Sequence, residues 1–174
     1  MDDRERLSEI IKGFRLISEE MPLVMPLHPR TAERLEFFGL LGRLNGIECL
    51  GPIGYMEMLS LVKDAAVVLT DSGGLQEETT VLGVPCVTLQ ESTERPITVE
   101  QGTNRLVGWP VTADGLSTEF RNVLRDVVRT WESRRPEGWD GRASPRLVNR
   151  ISEKRLARPF ATFGATNFRR NAGG

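Results

Sequence analysis

Aromatic residues make up only 6% of this 174-residue chain, and His28 is its single histidine. Cysteine appears twice, at Cys49 and Cys86. Two separated thiols and one imidazole do not supply the convergent ligands that zinc requires, so no metal or other cofactor is expected. Both cysteines sit inside short apolar runs, residues 47–50 and 85–89, where free Cys behaves as a small hydrophobe; both are read as buried, reduced thiols. Charge of one sign is also missing. Lys and Arg total 23 against 24 Asp and Glu, a net charge of -1, which leaves no global field to attract nucleic acid or an anionic membrane. No apolar run approaches the ~18–20 residues of a membrane span, and Met1-Asp2-Asp3-Arg4-Glu5-Arg6 is too charged for a signal peptide. A cytoplasmic globular domain is the expectation, and 39% hydrophobic with 27% charged residues provides enough apolar material for its core.

Short apolar runs alternate with amphipathic ones. Leu7, Ile10, Ile11, Phe14 and Ile17 recur at helical spacing, and residues 22–27 then read as a buried strand closed at His28-Pro29-Arg30. A second helix is expected from Thr31 as N-cap, ending near Gly39 and Gly42. Residues 47–50 form the next strand candidate, and Tyr55, Met58, Leu59 and Val62 a helix face behind the Gly51-Pro52-Ile53-Gly54 turn. Ala66-Val67-Val68-Leu69-Thr70 is β-branched, uncharged and short, the clearest strand of all. A helix over residues 75–82, strands over 86–89 and 105–109, and a long helix over 116–131 complete the pattern. Strands separated by helices imply a parallel sheet covered on both faces, a doubly wound, Rossmann-like α/β domain over residues 1–151. Residues 152–174, with Arg158-Pro159, Gly164, Arg169-Arg170 and Gly173-Gly174, hold no sustained period and read as an irregular tail.

Ligands of doubly wound sheets bind outside the carboxyl ends of the strands, which singles out Thr70-Asp71-Ser72-Gly73-Gly74-Leu75-Gln76-Glu77-Glu78. Two glycines remove the Cβ atoms that keep a ligand from the backbone and permit the φ values of a tight turn. The free N–H groups and dipole of the following helix then favour an anion such as a diphosphate, with Ser72 adding a hydrogen bond. The same residues also make an ordinary helix cap. Glu78, four residues after Gly74, faces the same side of the helix and can accept two hydrogen bonds from a vicinal diol, matching the ribose of a nucleotide. Glu77 reads as solvated. The loop Glu91-Ser92-Thr93-Glu94-Arg95-Pro96 follows the next strand and opens on the same crevice, where Arg95 can pair with phosphate and Thr103 and Asn104 add polar groups. His28, at the first strand's end, can donate to a phosphate or sugar hydroxyl, or is structural. Neither a Ser-His-Asp grouping nor a catalytic carboxylate pair emerges from spacing, and the catalytic residues stay unassigned.

The succession Leu27-His28-Pro29-Arg30, Gly51-Pro52-Ile53-Gly54-Tyr55, Thr70-Asp71-Ser72-Gly73-Gly74-Leu75-Gln76-Glu77-Glu78, Leu82-Gly83-Val84-Pro85, Thr93-Glu94-Arg95-Pro96 and Gly102-Thr103-Asn104 resembles the C-terminal half of non-hydrolysing UDP-N-acetylglucosamine 2-epimerases, over residues 4–151. The resemblance implies one half of a glycosyltransferase-B-like fold, with a UDP-sugar in the cleft between two Rossmann-like halves. It implies that Ser72, Gly73 and Gly74 hold the diphosphate, Glu78 the ribose, that Arg95 lies near the phosphates, and that His28 lines the cleft. Met58 takes the place where the family usually has an aromatic residue flanking the uracil, so stacking there should be weaker. The N-terminal half, which in that family supplies the carboxylates for elimination and re-addition of UDP, is not matched. The expected function is interconversion of UDP-N-acetylglucosamine and UDP-N-acetylmannosamine, with this chain as the nucleotide-binding half and a complementary N-terminal-half chain or a second copy as partner. A non-catalytic UDP-sugar-binding module and a truncated gene fragment are the alternatives.

Overall fold

The computed structural model describes residues 3–130 and 135–156. The chain divides into two compact units, Met1–Pro136 and Glu137–Gly174. In the first, helices and three-residue strands alternate as their hydrophobic periods predict. The order is α1 (Arg4–Ser18), β1 (Val24–Pro26), α2 (Pro29–Phe37), a 3-10 turn (Leu41–Arg43), β2 (Glu48–Leu50), α3 (Tyr55–Asp64), β3 (Val68–Thr70), α4 (Gly73–Leu82), β4 (Cys86–Thr88), α5 (Pro96–Glu100), β5 (Asn104–Leu106) and α6 (Ala113–Thr130). Every strand pairing is parallel, as helical crossovers require. β1 pairs with β2, Val24 opposite Glu48, while β4 runs between β3 and β5 with Cys86 opposite both Val68 and Asn104.

Side chains alternate across β4, and its two faces differ in chemistry. Val87 and the following Leu89 join the apolar cluster of Leu7, Ile10, Ile11, Phe14 and Ile17 from α1 and Leu116, Phe120 and Val123 from α6. Each aliphatic side chain so enclosed contributes about 1.5–3 kcal/mol over leaving it in water. On the other face Cys86 and Thr88 meet α4, whose buried side chains are Gln76, Thr79 and Thr80. That polar layer must satisfy its own hydrogen bonds, and Thr79 and Thr80 do so by donating to the carbonyls of Leu75 and Gln76.

Local signals account for the helix ends. Asp3 caps α1, its carboxylate accepting the N–H groups of Glu5 at 2.8 Å and Arg6 at 3.4 Å. α4 stops at Gly83, whose φ of 74° is the left-handed turn that glycine adopts without strain. The N-cap of α2 is His28 rather than Thr31: the imidazole Nδ1 accepts the N–H of Arg30 at 3.2 Å, and Pro29 opens the helix with its preset φ.

Cys49 is exposed, contrary to the reading from its apolar neighbours: in the two-stranded sheet β2 pairs on one side only, and Glu48 and Cys49, on opposite faces of it, are both left exposed. Cys86, on the central strand, is fully buried. In the second unit, α7 (Ala143–Leu156) begins beside Asp140, which accepts the N–H of Arg142 at 2.9 Å and pairs with Arg146 at 2.7 Å. The helix runs through Ser152, where the change in composition suggests a tail; Trp131 and residues 157–174 lie outside the described residues. None of the described helices is long and apolar enough to cross a membrane.

Candidate functional site

β3 ends at Thr70, and the chain turns within two residues into α4. The Thr70 hydroxyl accepts the N–H of Ser72 at 3.0 Å and fixes that turn. Ser72 occupies the N-cap position, yet its side chain makes no capping hydrogen bond. Its exposed hydroxyl is therefore not spent on the helix, unlike that of an ordinary cap. Neither Gly73 nor Gly74 has a positive φ, so the turn does not need glycine for its backbone conformation, which corrects one of the two reasons drawn from the sequence. The other holds. A Cβ on Gly73 would find only Arg95 at ordinary contact distance, 3.9 Å from Cγ, and one on Gly74 only the Ser72 hydroxyl at 3.8 Å. Space lies open before the first turn of the helix, where backbone N–H groups point at whatever occupies it.

Arg95 is the one predicted residue that reaches this turn from another loop. Its Nε lies 2.8 Å from Oε1 of Glu77, an ion contact off the line of a hydrogen bond, and Nη1 donates to the Glu94 carbonyl at 3.3 Å. Glu77 is solvent-exposed, as read from the sequence, and also engages Arg95, a contact that local spacing on α4 does not reveal. The two loops are joined at their bases as well: Gln90 Nε2 donates to the carbonyl of Asp71 at 2.8 Å.

Glu78, half-buried on α4, faces α3. Its carboxylate lies beside the hydroxyl of Tyr55, and that acceptor, with its charge, holds the phenol above its ordinary value. Tyr55, read from sequence only as part of an apolar helix face, is exposed and belongs to the polar surroundings of Glu78. Its position immediately after the Gly51-Pro52-Ile53-Gly54 turn was the available signal. Met58 is half-buried one turn further along α3. His28 stands at the carboxyl end of β1, in the other sheet; accepting through Nδ1 leaves its neutral ring the proton on Nε2, free to donate outward. Among the described residues no hydrogen bond or ion pair ties His28 or Met58 to the glycine turn.

Thr103 and Asn104 do not open on the crevice as expected. Both are buried, at 5% and 3% exposure, and Asn104 bonds to Gln76, Thr88 and Thr98 beneath the loop. A separate groove of about 370 Å³ lies along α1, lined among others by Arg4, Glu9, Lys12 and Arg43, and contains none of the predicted site residues. The glycine turn, by contrast, is an open rim at an exposed helix start rather than a cavity.

The profile of the family described as UDP-N-acetylglucosamine 2-epimerase matches residues 1–152. The UDP-N-acetylglucosamine 2-epimerase of Methanocaldococcus jannaschii is 47% identical over 155 residues, covering 85% of this chain and 40% of the relative. That of Methanococcus maripaludis is 40% identical over 157 residues, with the same two coverages. A crystal structure of the M. jannaschii enzyme in complex with UDP-GlcNAc and UDP superposes with a TM-score of 0.71 at 39% identity, covering 87% of this chain and 42% of that one. The chain therefore spans about 40% of the length of the curated relatives it matches. On the strength of that profile and that identity, the chain belongs to the UDP-N-acetylglucosamine 2-epimerase family.

Proposed function

We propose that residues 1–151 form the UDP-sugar-binding half of an epimerase that interconverts UDP-N-acetylglucosamine and UDP-N-acetylmannosamine. The diphosphate sits on the first turn of α4, held by the N–H groups of Gly73 and Gly74, the Ser72 hydroxyl and the Arg95 guanidinium. Glu78, one turn further, takes the ribose diol; Met58 packs on the uracil, and His28 donates to the ligand from the end of β1. Turnover draws on the complementary N-terminal half of the fold, from the same polypeptide, a partner chain or a second copy. The two unpaired thiols are in keeping with work in the cytoplasm.

The observation that carries this reading is the open helix start itself: a Ser hydroxyl left uncommitted at the N-cap, two glycines with no obstruction before them, and a cation resting over the first. Titration of the chain with UDP, UMP and uridine, by calorimetry or ligand-observed NMR, tests it. UDP binds best, with a Kd of roughly 0.1–1 mM because half the cleft is lacking. Glu78→Ala weakens UDP about tenfold or more, the range for lost hydrogen bonds to a charged acceptor. Equal affinities for the parent and this variant would remove the ribose assignment. The purified 174-residue chain yields no UDP-N-acetylmannosamine; detecting that product would remove the requirement for a second half.

A further inference from the structure

We propose that Gln76 and Asn104 are positioning residues that set Arg95 over the glycine turn, through a ring of hydrogen bonds that begins and ends on the backbone of Arg95. The inference rests on the reading of Arg95 as a phosphate-binding group. The N–H of Arg95 donates to the Thr93 hydroxyl at 2.9 Å, and the Thr93 hydroxyl donates to Oε1 of Gln76 at 2.5 Å. Nδ2 of Asn104 donates to the same Oε1 at 3.2 Å and to the Thr98 hydroxyl at 3.2 Å. Thr98 closes the ring by donating to the Arg95 carbonyl at 2.7 Å.

Backbone polarity fixes every direction in this ring. The Arg95 carbonyl can only accept, so the proton of Thr98 is spent there and Thr98 must accept from Asn104. Asn104 therefore presents its amide nitrogen, and Gln76 answers with its oxygen. The Thr93 hydroxyl, which accepts from Arg95, likewise sends its proton to that oxygen. Thr88 completes the set by donating to Oδ1 of Asn104 at 2.7 Å. Gln76, Thr88 and Thr98 are fully enclosed, so none of these bonds is exchanged for water at small cost. The orientation leaves Nε2 of Gln76 without a partner among the described residues.

Position gives the ring its consequence. Gln76 belongs to the first turns of α4, the helix that presents Ser72 and Gly73, while Asn104 opens β5. Loop and helix are thereby locked in register, and Cγ of Arg95 stays 3.9 Å from where a Cβ on Gly73 would stand. With both backbone groups of Arg95 clamped, its side chain starts from one fixed direction, and the guanidinium meets a phosphate without first ordering its loop.

The test is a double-mutant cycle read by UDP and uridine binding to the 174-residue chain, with folding followed by circular dichroism. Asn104→Leu is expected to weaken UDP about tenfold and leave uridine within twofold. In the Arg95→Ala background the same substitution is expected to change UDP affinity by less than twofold, since its only route has been removed. A purely structural role would instead lower UDP binding in both backgrounds, or lower UDP and uridine alike, and either result overturns the inference. If Asn104→Leu does not fold, Thr98→Val, which removes only the closing hydroxyl, carries the same cycle with the same expectations. A parent that prefers UDP to uridine, an Arg95→Ala variant in which the preference is reduced, and positioning variants in which it is not would sink this inference alone. A parent with no such preference, or an Arg95→Ala variant in which it is undiminished, would defeat the reading of Arg95 as a phosphate-binding group and this inference with it.

Discussion

The hydroxyl of Tyr55, the first residue of α3, lies beside the carboxylate of Glu78, the sixth residue of α4. The neutral phenol can donate to the carboxylate and the phenolate would be repelled by it, so the tyrosine titrates above its ordinary value of 10.0. Tyr55 is the only tyrosine in the chain, which makes its ultraviolet titration a clean report on Glu78. Glu78→Gln should bring the transition down toward 10.0, and saturating UDP should do the same if the ribose takes the carboxylate from the phenol. A Tyr55 titration indifferent to UDP would argue that the nucleoside binds elsewhere.

Glu77 holds Arg95 through a contact exposed on both sides, at 40% for the arginine and 44% for the glutamate. Such pairs are worth about 0.2–1 kcal/mol and are screened by salt. If Arg95 binds the diphosphate as proposed, the ligand competes with Glu77 for the guanidinium, and Glu77→Gln is expected to tighten UDP binding by up to about fivefold, most clearly at low ionic strength. Calorimetry at two salt concentrations checks this; weaker UDP binding would mean that Glu77 aims Arg95 rather than occupying it.

Two glycines should respond to alanine in opposite ways. At Gly73 the added Cβ meets nothing nearer than 3.9 Å, so Gly73→Ala leaves the melting temperature nearly unchanged and weakens UDP about tenfold by filling the ligand's space. At Gly102 the Cβ would stand 2.5 Å from the Thr98 carbonyl oxygen and 2.7 Å from Cγ2 of Thr80. Gly102→Ala is expected to cost about 1–3 kcal/mol of stability, the usual penalty for overpacking. Thermal and chemical denaturation of both variants, beside UDP titrations, will separate them. A strongly destabilised Gly73→Ala would contradict the open turn.

Burial pushes the Cys86 thiol from 9.0 up to about 11, against a smaller opposing influence of the neighbouring Thr79 and Thr88 hydroxyls. The unfolded chain releases this proton near pH 9 and the folded chain only near 11, so above pH 9 the unfolded state binds fewer protons and stability falls. Parent and Cys86→Ala should therefore converge in stability as pH rises from 9 to 11, which denaturation at several pH values will show. The exposed Cys49 should react with a thiol reagent in the native state and Cys86 only on unfolding. Fast native labelling of both would place Cys86 nearer solvent than the central strand allows.

What was legible in the sequence is what depends on neighbours in the chain. The apolar period of Leu7, Ile10, Ile11, Phe14 and Ile17 gave α1, and the β-branched residues before Asp71 gave β3 and the turn into α4. Misreadings and omissions arose where distant segments decide. Glu77 meets its partner from a loop beyond β4, and Asn104 is drawn under the loop by α4; neither relation leaves a periodic trace. Cys49 was misjudged because an apolar run does not say whether its strand is central or at an edge. His28 displaced Thr31 as the cap because proline at the first helical position fixes the start earlier than the Thr signal suggested.

The amide of Gln90, donated to the Asp71 carbonyl, makes the glycine turn and the arginine loop a single mechanical piece. An engineer wishing to transplant the proposed anion grip onto another scaffold would have to move both strand exits together, with Gln90 as their rivet. Copying Asp71 to Glu78 alone would carry over the shape of the turn and leave behind its stiffness.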